Sequence, residues 1–489
     1  MTASLMNVRR ELLIDGQWRP SNSAERITVV NPATEQVIGE VPDADSREVG
    51  QAVLGAQRAF EEGTWRALDA DKRAEILTRS LQLLHTRIDA IAELVTSEMG
   101  LPISLSRAQT PAAIPTGQYF VDIARSEPVA EVRDTQLGAV AVVNEPVGVV
   151  AAIAPWNGPF NMGIAKIYPA LAAGCSVVYK PAPETPLDAF FVAEALHDAG
   201  VPAGAFNLIT GGAETGRALV AHPAVDKVSF TGSTAAGREI GRECGGNFKR
   251  MQLELGGKSA AIVLDDADLS TTMQGLAVGC FFNAGQICAA YSRVLVPRTR
   301  HDEFVDALVA TAESFVVGDP FDPATTMGPL VSDRHRRKVL SYIELGRSEG
   351  ATVATGGGIP PSLPIGYFVQ PTVFVGATNR MRISQEEIFG PVVAVIAYDD
   401  IDEAVAMAND SDYGLHGAVF TNDAARAADI ARRVRTGTFS VNKFVYNTEA
   451  PFGGVKSSGV GRDTGPEAVR SYFELKTINL IDSMTSMFS

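Results

Sequence analysis

The sequence predicts an α/β chain built as two doubly wound α/β domains with a small, separate β arm. Three observations predict it. From residue 147 onward, β-prone apolar runs alternate with helical patterns at the spacing of a parallel sheet. The alternation breaks at the loop Leu255-Gly256-Gly257-Lys258 and then restarts, which makes two such units. Two apolar, β-prone stretches, 139–143 and 472–481, belong to neither alternation and would pair as an arm packing on another subunit. A chain of 489 residues is also too long for one ordinary core.

Taken in order, the first 40 residues read as short strands and turns: Leu12-Leu13-Ile14 before Asp15-Gly16, then Ile27-Thr28-Val29-Val30 before Asn31-Pro32. Asp45 with Glu48 three residues on has the form of a capping box and opens a helix to about residue 62. A second helix is expected over 71–99, where Ile76, Leu77, Leu81, Leu84, Ile88 and Ile91 recur at helical spacing; Gly100 and Pro102 end it. Strands are then expected at 147–154, 176–179, 206–209 and 227–230, with helices at 163–173, 187–199, 213–221 and from Ser233. Beyond Lys258 come strands at 260–264 and 294–296 with helices at 268–282 and 301–315. Later strands fall near 391–397, 417–420 and 438–441, and helices near 401–409 and 424–433.

Apolar residues at 46% and charged residues at 20% describe a soluble globular chain. Lys plus Arg is 42 and Asp plus Glu is 57, a net charge of −15, which argues against nucleic acid or an anionic membrane as partner. It leaves room for a local basic pocket. The four cysteines, Cys175, Cys244, Cys280 and Cys288, form no CxxC pair, and the histidines do not cluster, so no metal site is expected. So few thiols fit a reducing cytoplasm. Arg9 and Arg10 are followed by Glu11 and Asp15 with no apolar run, so no signal peptide is expected. The most apolar run, 147–155, is far shorter than a membrane span.

A few residues carry possible chemistry. Cys288 follows the turn-prone Asn283-Ala284-Gly285-Gln286 and precedes a strand, which suits either an exposed nucleophile or a core filler. Thr231-Gly232-Ser233 ends a strand and opens a helix, where glycine lets backbone N–H groups approach a pyrophosphate; a plain glycine turn has the same pattern. It is neither a P-loop nor Gly-x-Gly-x-x-Gly. Glu254, between Leu253 and Leu255, is a candidate general base with a raised pKa, or the partner of a basic side chain. Asn157 either donates to an oxyanion or shapes a turn. Lys180, at a strand end, either holds a ribose or phosphate or snorkels to the surface.

Together these stretches are specific. Pro155-Trp156-Asn157, Lys180-Pro181-Ala182-Pro183-Glu184-Thr185-Pro186, Phe230-Thr231-Gly232-Ser233, Leu253-Glu254-Leu255-Gly256-Gly257-Lys258, Phe282-Asn283-Ala284-Gly285-Gln286-Ile287-Cys288, Glu386-Glu387-Ile388-Phe389-Gly390-Pro391 and Pro451-Phe452-Gly453-Gly454-Val455-Lys456-Ser457-Ser458-Gly459 occur in that order. The chain thereby resembles the NAD(P)-dependent aldehyde dehydrogenase superfamily from Asp15-Gly16 to about Ile481.

The resemblance implies an aldehyde dehydrogenase-like fold. Residues 1–124 and 147–256 would form a Rossmann-like cofactor domain, 257–465 a catalytic domain, and 125–146 with 466–489 an oligomerisation arm of a dimer or tetramer. It implies Cys288 as nucleophile, Glu254 as general base and Asn157 as oxyanion donor, shared with the Cys288 backbone N–H. Lys166 and Glu474 match positions that assist proton relay in relatives. Lys180 matches the residue holding the adenosine ribose, Ser233 a pyrophosphate ligand, Glu387 the grip on the nicotinamide ribose, and Phe389 the ring beside the nicotinamide. The rest of the implied cofactor site is Ile153, Pro155, Trp156, Pro183, Gly212, Phe230, Thr231, Gly232 and Gly256.

The implied reaction oxidises an aldehyde to its acid through a Cys288 thioester. Glu254 argues for hydrolysis over transfer to coenzyme A, because acyl-transferring relatives typically lack it. Many NAD-preferring relatives carry a glutamate where this chain has Pro183, which departs from a strict NAD pattern; Pro183 brings neither repulsion of a 2′-phosphate nor a new cation, so NAD is expected first and NADP is left open. Gly158, Phe160, Met162, Phe282, Ile287, Phe444 and Tyr446 are expected to line an apolar substrate tunnel. Residues 442–450 contain no arginine and only Lys443 as a cation, which favours an apolar or aromatic aldehyde over a semialdehyde acid.

Overall fold

The computed structural model describes residues 9–488; residues 1–8 and 489, the ends of the expected domain ranges, lie outside the described residues. The larger sheet has a parallel centre in the order Arg250–Glu254, Lys227–Thr231, Val149–Ile153, Ser176–Lys180 and Phe206–Leu208. Gly459–Val460 extends one edge and Leu12–Ile14 with Gln17–Arg19 the other, all antiparallel. Val149–Ile153 and Ser176–Lys180 are buried at every residue, as a parallel strand covered on both faces must be, and their Val and Ala runs satisfy that without alternation. Winding runs outward from Val149–Ile153 in both directions. The crevice between it and Lys227–Thr231 is therefore a switch point, where open α/β sheets bind ligands.

The second sheet runs Thr352–Thr355, Thr372–Val375, Val392–Tyr398, Tyr291–Pro297, Ser259–Val263, Gly417–Phe420 and Ser440–Val441, parallel except for the first strand. The two leftover stretches do pair: Phe473–Asn479 lies antiparallel to Gly138–Pro146, with Ile478 opposite Ala141. A third strand, Ala130–Thr135, completes this sheet and was not expected.

Helix Ser46–Glu62 carries the capping box expected of Asp45 and Glu48, and Gly63 closes it at φ 76°. The single helix expected over 71–99 is two, Ala70–His85 and Ile88–Met99. Arg87 leaves the helical region at φ −112°, ψ 9°, and its guanidinium stacks 4.1 Å over Phe191 and pairs with Glu194. A tertiary contact thus breaks a helix whose apolar periodicity runs straight through. Helices Ile103–Gln109, Ala113–Ser126 and Asp333–Ser348 were not expected from the sequence. Among the described residues no helix is long and apolar enough to cross a membrane, and no group of three or more His, Cys, Asp or Glu is placed to hold a metal ion.

Candidate active site

A cavity of about 1070 Å³ opens at the carboxyl ends of Val149–Ile153, Ser176–Lys180 and Lys227–Thr231. Ile153, Pro155, Trp156, Lys180, Pro183, Gly212, Phe230, Thr231, Gly232, Ser233, Gly256, Glu387 and Phe389 all line it, so the structure gathers every expected cofactor position around one space. Cys288, Asn157 and Met162 share its wall. The lining also has Glu184, Arg217, Glu239, Arg242, Glu243, Arg334, His335 and Lys338, which sequence reading missed. They sit mostly on helix faces whose direction only packing decides. Counted with Lys180 and Glu387, they give five cationic side chains against four carboxylates in a protein whose net charge is −15.

Local backbone explains the shape. Ser233 caps helix Thr234–Gly246, accepting from the Ala236 N–H, and leaves the first turn facing the cavity. A Cβ on Gly256 would lie 2.3 Å from the Glu387 carboxylate, which the Gly257 N–H holds at 3.0 Å. The Lys180 ammonium donates to the carbonyls of Pro181 and Gly211, and burial lowers its pKa to about 8. The Thr231 hydroxyl is buried with no protein partner.

Cys288 stands on a strained loop. Asn283, Ala284 and Gly285 follow one another in the left-handed region at φ 51°, 52° and 69°. The Asn157 side-chain amide donates to the Gln286 carbonyl at 2.9 Å, and the Asn283 amide donates to the Asn157 carbonyl at 3.2 Å. An amide nitrogen carries two protons, so Asn157 keeps a second one beside the thiol's loop. Cys175, Cys244 and Cys280 are buried; Cys288 is partly accessible. Burial first, then the carboxyls of Glu254 and Glu387, push its thiol up to about 12. On its other side Cys288 packs with Ile287 and Phe444 against Ala289, Leu415 and Phe452. Tyr446 stands edge-on to Phe452, ring centroids 4.8 Å apart.

Glu254 ends its strand, buried, with neither carboxyl oxygen hydrogen-bonded. Burial and then the Asp463 charge raise its pKa well above the carboxylate range. The Pro451 to Gly459 motif folds over it: a Cβ on Gly453 would lie 2.4 Å from Glu254 Oε1, and one on Gly459 would lie 1.8 Å from the Leu253 carbonyl oxygen. Lys166, fully buried, pairs with Asp463 at 3.2 Å and donates to Ser229.

Three expected positions fall elsewhere. Glu474 is not beside Glu254; it pairs on the surface with Arg250, at the far end of the same five-residue strand, about 13 Å away at ordinary strand rise. Asp463, which carried no signal of its own in the sequence, fills the buried place next to Lys166. Phe160 is only 1% exposed and packs in the core around the larger sheet, because it lies on the inner face of helix Pro159–Ala172. Phe282 packs against that same core.

Comparison with known proteins agrees with this geometry. The sequence pattern of the Aldehyde dehydrogenase family matches residues 18–478. Geranial dehydrogenase of Castellaniella defragrans is 43% identical over 96% of this chain and 99% of its own length. A betaine aldehyde dehydrogenase of Rhizobium leguminosarum is 41% identical over 95% and 96%. The crystal structure of a Mycobacterium tuberculosis aldehyde dehydrogenase complexed with NAD+ superposes with a TM-score of 0.95 at 42% identity, covering 96% of this chain and 98% of that one. The Staphylococcus aureus betaine aldehyde dehydrogenase in complex with NAD+ gives 0.95 at 38%, covering 97% and 95%. The chain belongs to the aldehyde dehydrogenase family.

Proposed function

We propose that this NAD(P)-dependent aldehyde dehydrogenase oxidises an apolar aldehyde to its carboxylic acid, with Cys288 as nucleophile, Glu254 as general base and Asn157 as oxyanion donor. One observation carries the reading: the single accessible thiol lies in the wall of the cavity, with Asn157 tied to its loop and the buried, unbonded Glu254 within electrostatic reach. The cavity fits a dinucleotide. Its volume of about 1070 Å³ is at the upper end for small-molecule sites, a capped helix N-terminus faces it, and the Thr231 hydroxyl lacks a protein partner. Lys180, Ser233 and Glu387 would hold NAD, with Trp156 and Phe389 walling the end nearest Cys288.

The Cys288 sulfur bonds the aldehyde carbon as its proton passes to solvent, and the second Asn157 N–H with the Cys288 backbone N–H stabilises the oxyanion. NAD, when bound, supplies the acceptor for the hydride that carbon loses. Glu254 then takes a proton from the water that cleaves the thioester, giving the acid and the free thiol. Lys166 and Asp463 stand behind Glu254 as a buried ion pair that exchanges its proton. The arm sheet would join subunits into a dimer or tetramer.

An apolar substrate is supported by the cluster of Ile287, Leu415, Phe444 and Phe452 against which Cys288 packs, and by the geranial relative. The Tyr446–Phe452 pair favours a second reading, an aldehyde bearing a quaternary ammonium, since aromatic faces attract such cations. Initial rates of NADH formation with geranial, benzaldehyde, betaine aldehyde and succinic semialdehyde, each with NAD and with NADP, decide. The apolar reading expects the first two to lead, and a lead by the semialdehyde acid would overturn it.

A further inference from the structure

One segment, at the start of helix Asp333–Ser348, touches both sides of the catalytic centre. The Val331 N–H donates to the Gln286 side-chain oxygen at 3.0 Å and so anchors the loop that carries Cys288. Ser332 caps the helix by accepting from the His335 N–H at 3.2 Å. The His335 ring then reaches the Phe389 carbonyl, Nε2 to O, at 2.7 Å. A carbonyl only accepts, so Nε2 must carry the proton. Burial lowers the imidazole to about 4, which keeps it neutral through the working range of pH.

The bond ends on an unusual residue. Phe389 has φ 64°, a backbone that a bulky L side chain rarely adopts and that surrounding contacts must hold. Its ring stands edge-on to Trp156 at 5.3 Å, and His335 lies 5.3 Å from Trp156 and 6.0 Å from Phe389. The next residue leaves no slack. A Cβ on Gly390 would lie 2.6 Å from Val339, one turn further along the same helix, and the Gly390 carbonyl is 2.1 Å from where a Cβ on Gly285 would be. All three rings line the cavity.

We propose that His335 is a positioning residue: by donating from Nε2 to the Phe389 carbonyl it holds the left-handed backbone there, and so fixes the Trp156 and Phe389 rings that wall the cofactor cavity beside Cys288. This rests on the reading of the cavity as the NAD site. It differs from the roles carried by the family motifs, none of which includes His335.

The test compares His335→Leu, which keeps bulk but removes the donor, with His335→Gln, whose amide can reach the same carbonyl. NAD affinity is measured by titration calorimetry on the full-length protein, alongside melting temperature and the KM and kcat for aldehyde oxidation. The expected result is NAD binding weakened about tenfold in His335→Leu, the loss of one buried hydrogen bond, and largely restored in His335→Gln. KM for NAD should rise with it, while kcat at saturating NAD stays within about threefold. NAD binding by His335→Leu equal to wild type overturns the proposal, and so does equal weakening in both variants. Should His335→Leu fail to fold, His335→Ala carries the same comparison. Failure of the wild-type protein to bind NAD would instead sink the assignment of the cavity.

Discussion

Burial disfavours the Cys288 thiolate first, and the neighbouring carboxyls of Glu254 and Glu387 add to it. The resting thiol is therefore protonated at neutral pH, and accessibility, not acidity, distinguishes it from the other three cysteines. Limited iodoacetamide should label Cys288 first, and bound NAD should slow that labelling; mass spectrometry of the peptides reads both. Labelling of Cys280 ahead of Cys288 would contradict the assignment. Glu254, the proposed base, is raised well above the carboxylate range by burial, so it is protonated at low pH and could act as a base only as pH climbs through its raised value. Steady-state turnover should accordingly rise with pH on the acid side. Glu254→Gln should leave a burst of NADH, about one per site, and lower the steady rate that follows by about 10²–10⁴-fold. A steady rate near wild type would exclude Glu254 as the base. At this scale the motifs were legible, because reactive groups are chosen by type. Asp463 was not, because an aspartate after Gly461-Arg462 says nothing until the fold sets it 3.2 Å from Lys166.

The loop from Asn283 to Cys288 carries the proposed nucleophile. Its left-handed run brings Gly285 so close to the Gly390 carbonyl that any side chain collides. Gly285→Ala should cost more than about 2 kcal/mol, combining left-handed strain with that collision, and should reduce activity even where the protein still folds. Urea unfolding and NADH formation measure the two effects. Behind Glu254, the Lys166–Asp463 pair is buried on both sides. Lys166→Met should destabilise by about 3–5 kcal/mol, because it removes the cation from a buried carboxylate and leaves Asp463 only the neutral Gln252 amide as side-chain donor. Strands were the more readable elements, since Val149–Ile153 and Ser176–Lys180 announce themselves by unbroken apolar runs. Helix Asp333–Ser348 escaped, because its first six residues are polar and mostly basic and its apolar residues begin only at Val339, although Ser332 caps it in the ordinary way.

Across the whole molecule acidic residues are in excess, yet the lining of the cavity has more cations than carboxylates. The arm sheet ends in the strand Phe473–Asn479, where Leu475 is 71% exposed in the single chain. An apolar side chain on an open edge strand wants cover. The native protein should sediment as a dimer or larger, and Leu475→Asp should shift it toward the single chain; unchanged sedimentation would remove the arm from the interface. The sequence by itself determined the alternating α/β plan, the paired arm stretches, and which thiol, carboxyl and amide to watch, because hydrophobic period and side-chain chemistry are local properties. Only the tertiary structure decided that Asp463 and not Glu474 stands behind Glu254, that Phe160 belongs to the core, and that the helix over 71–99 breaks at Arg87. Each of those depends on which residues distant in the chain meet in space, and on which face of an element packing turns inward. Neither is written in a local pattern.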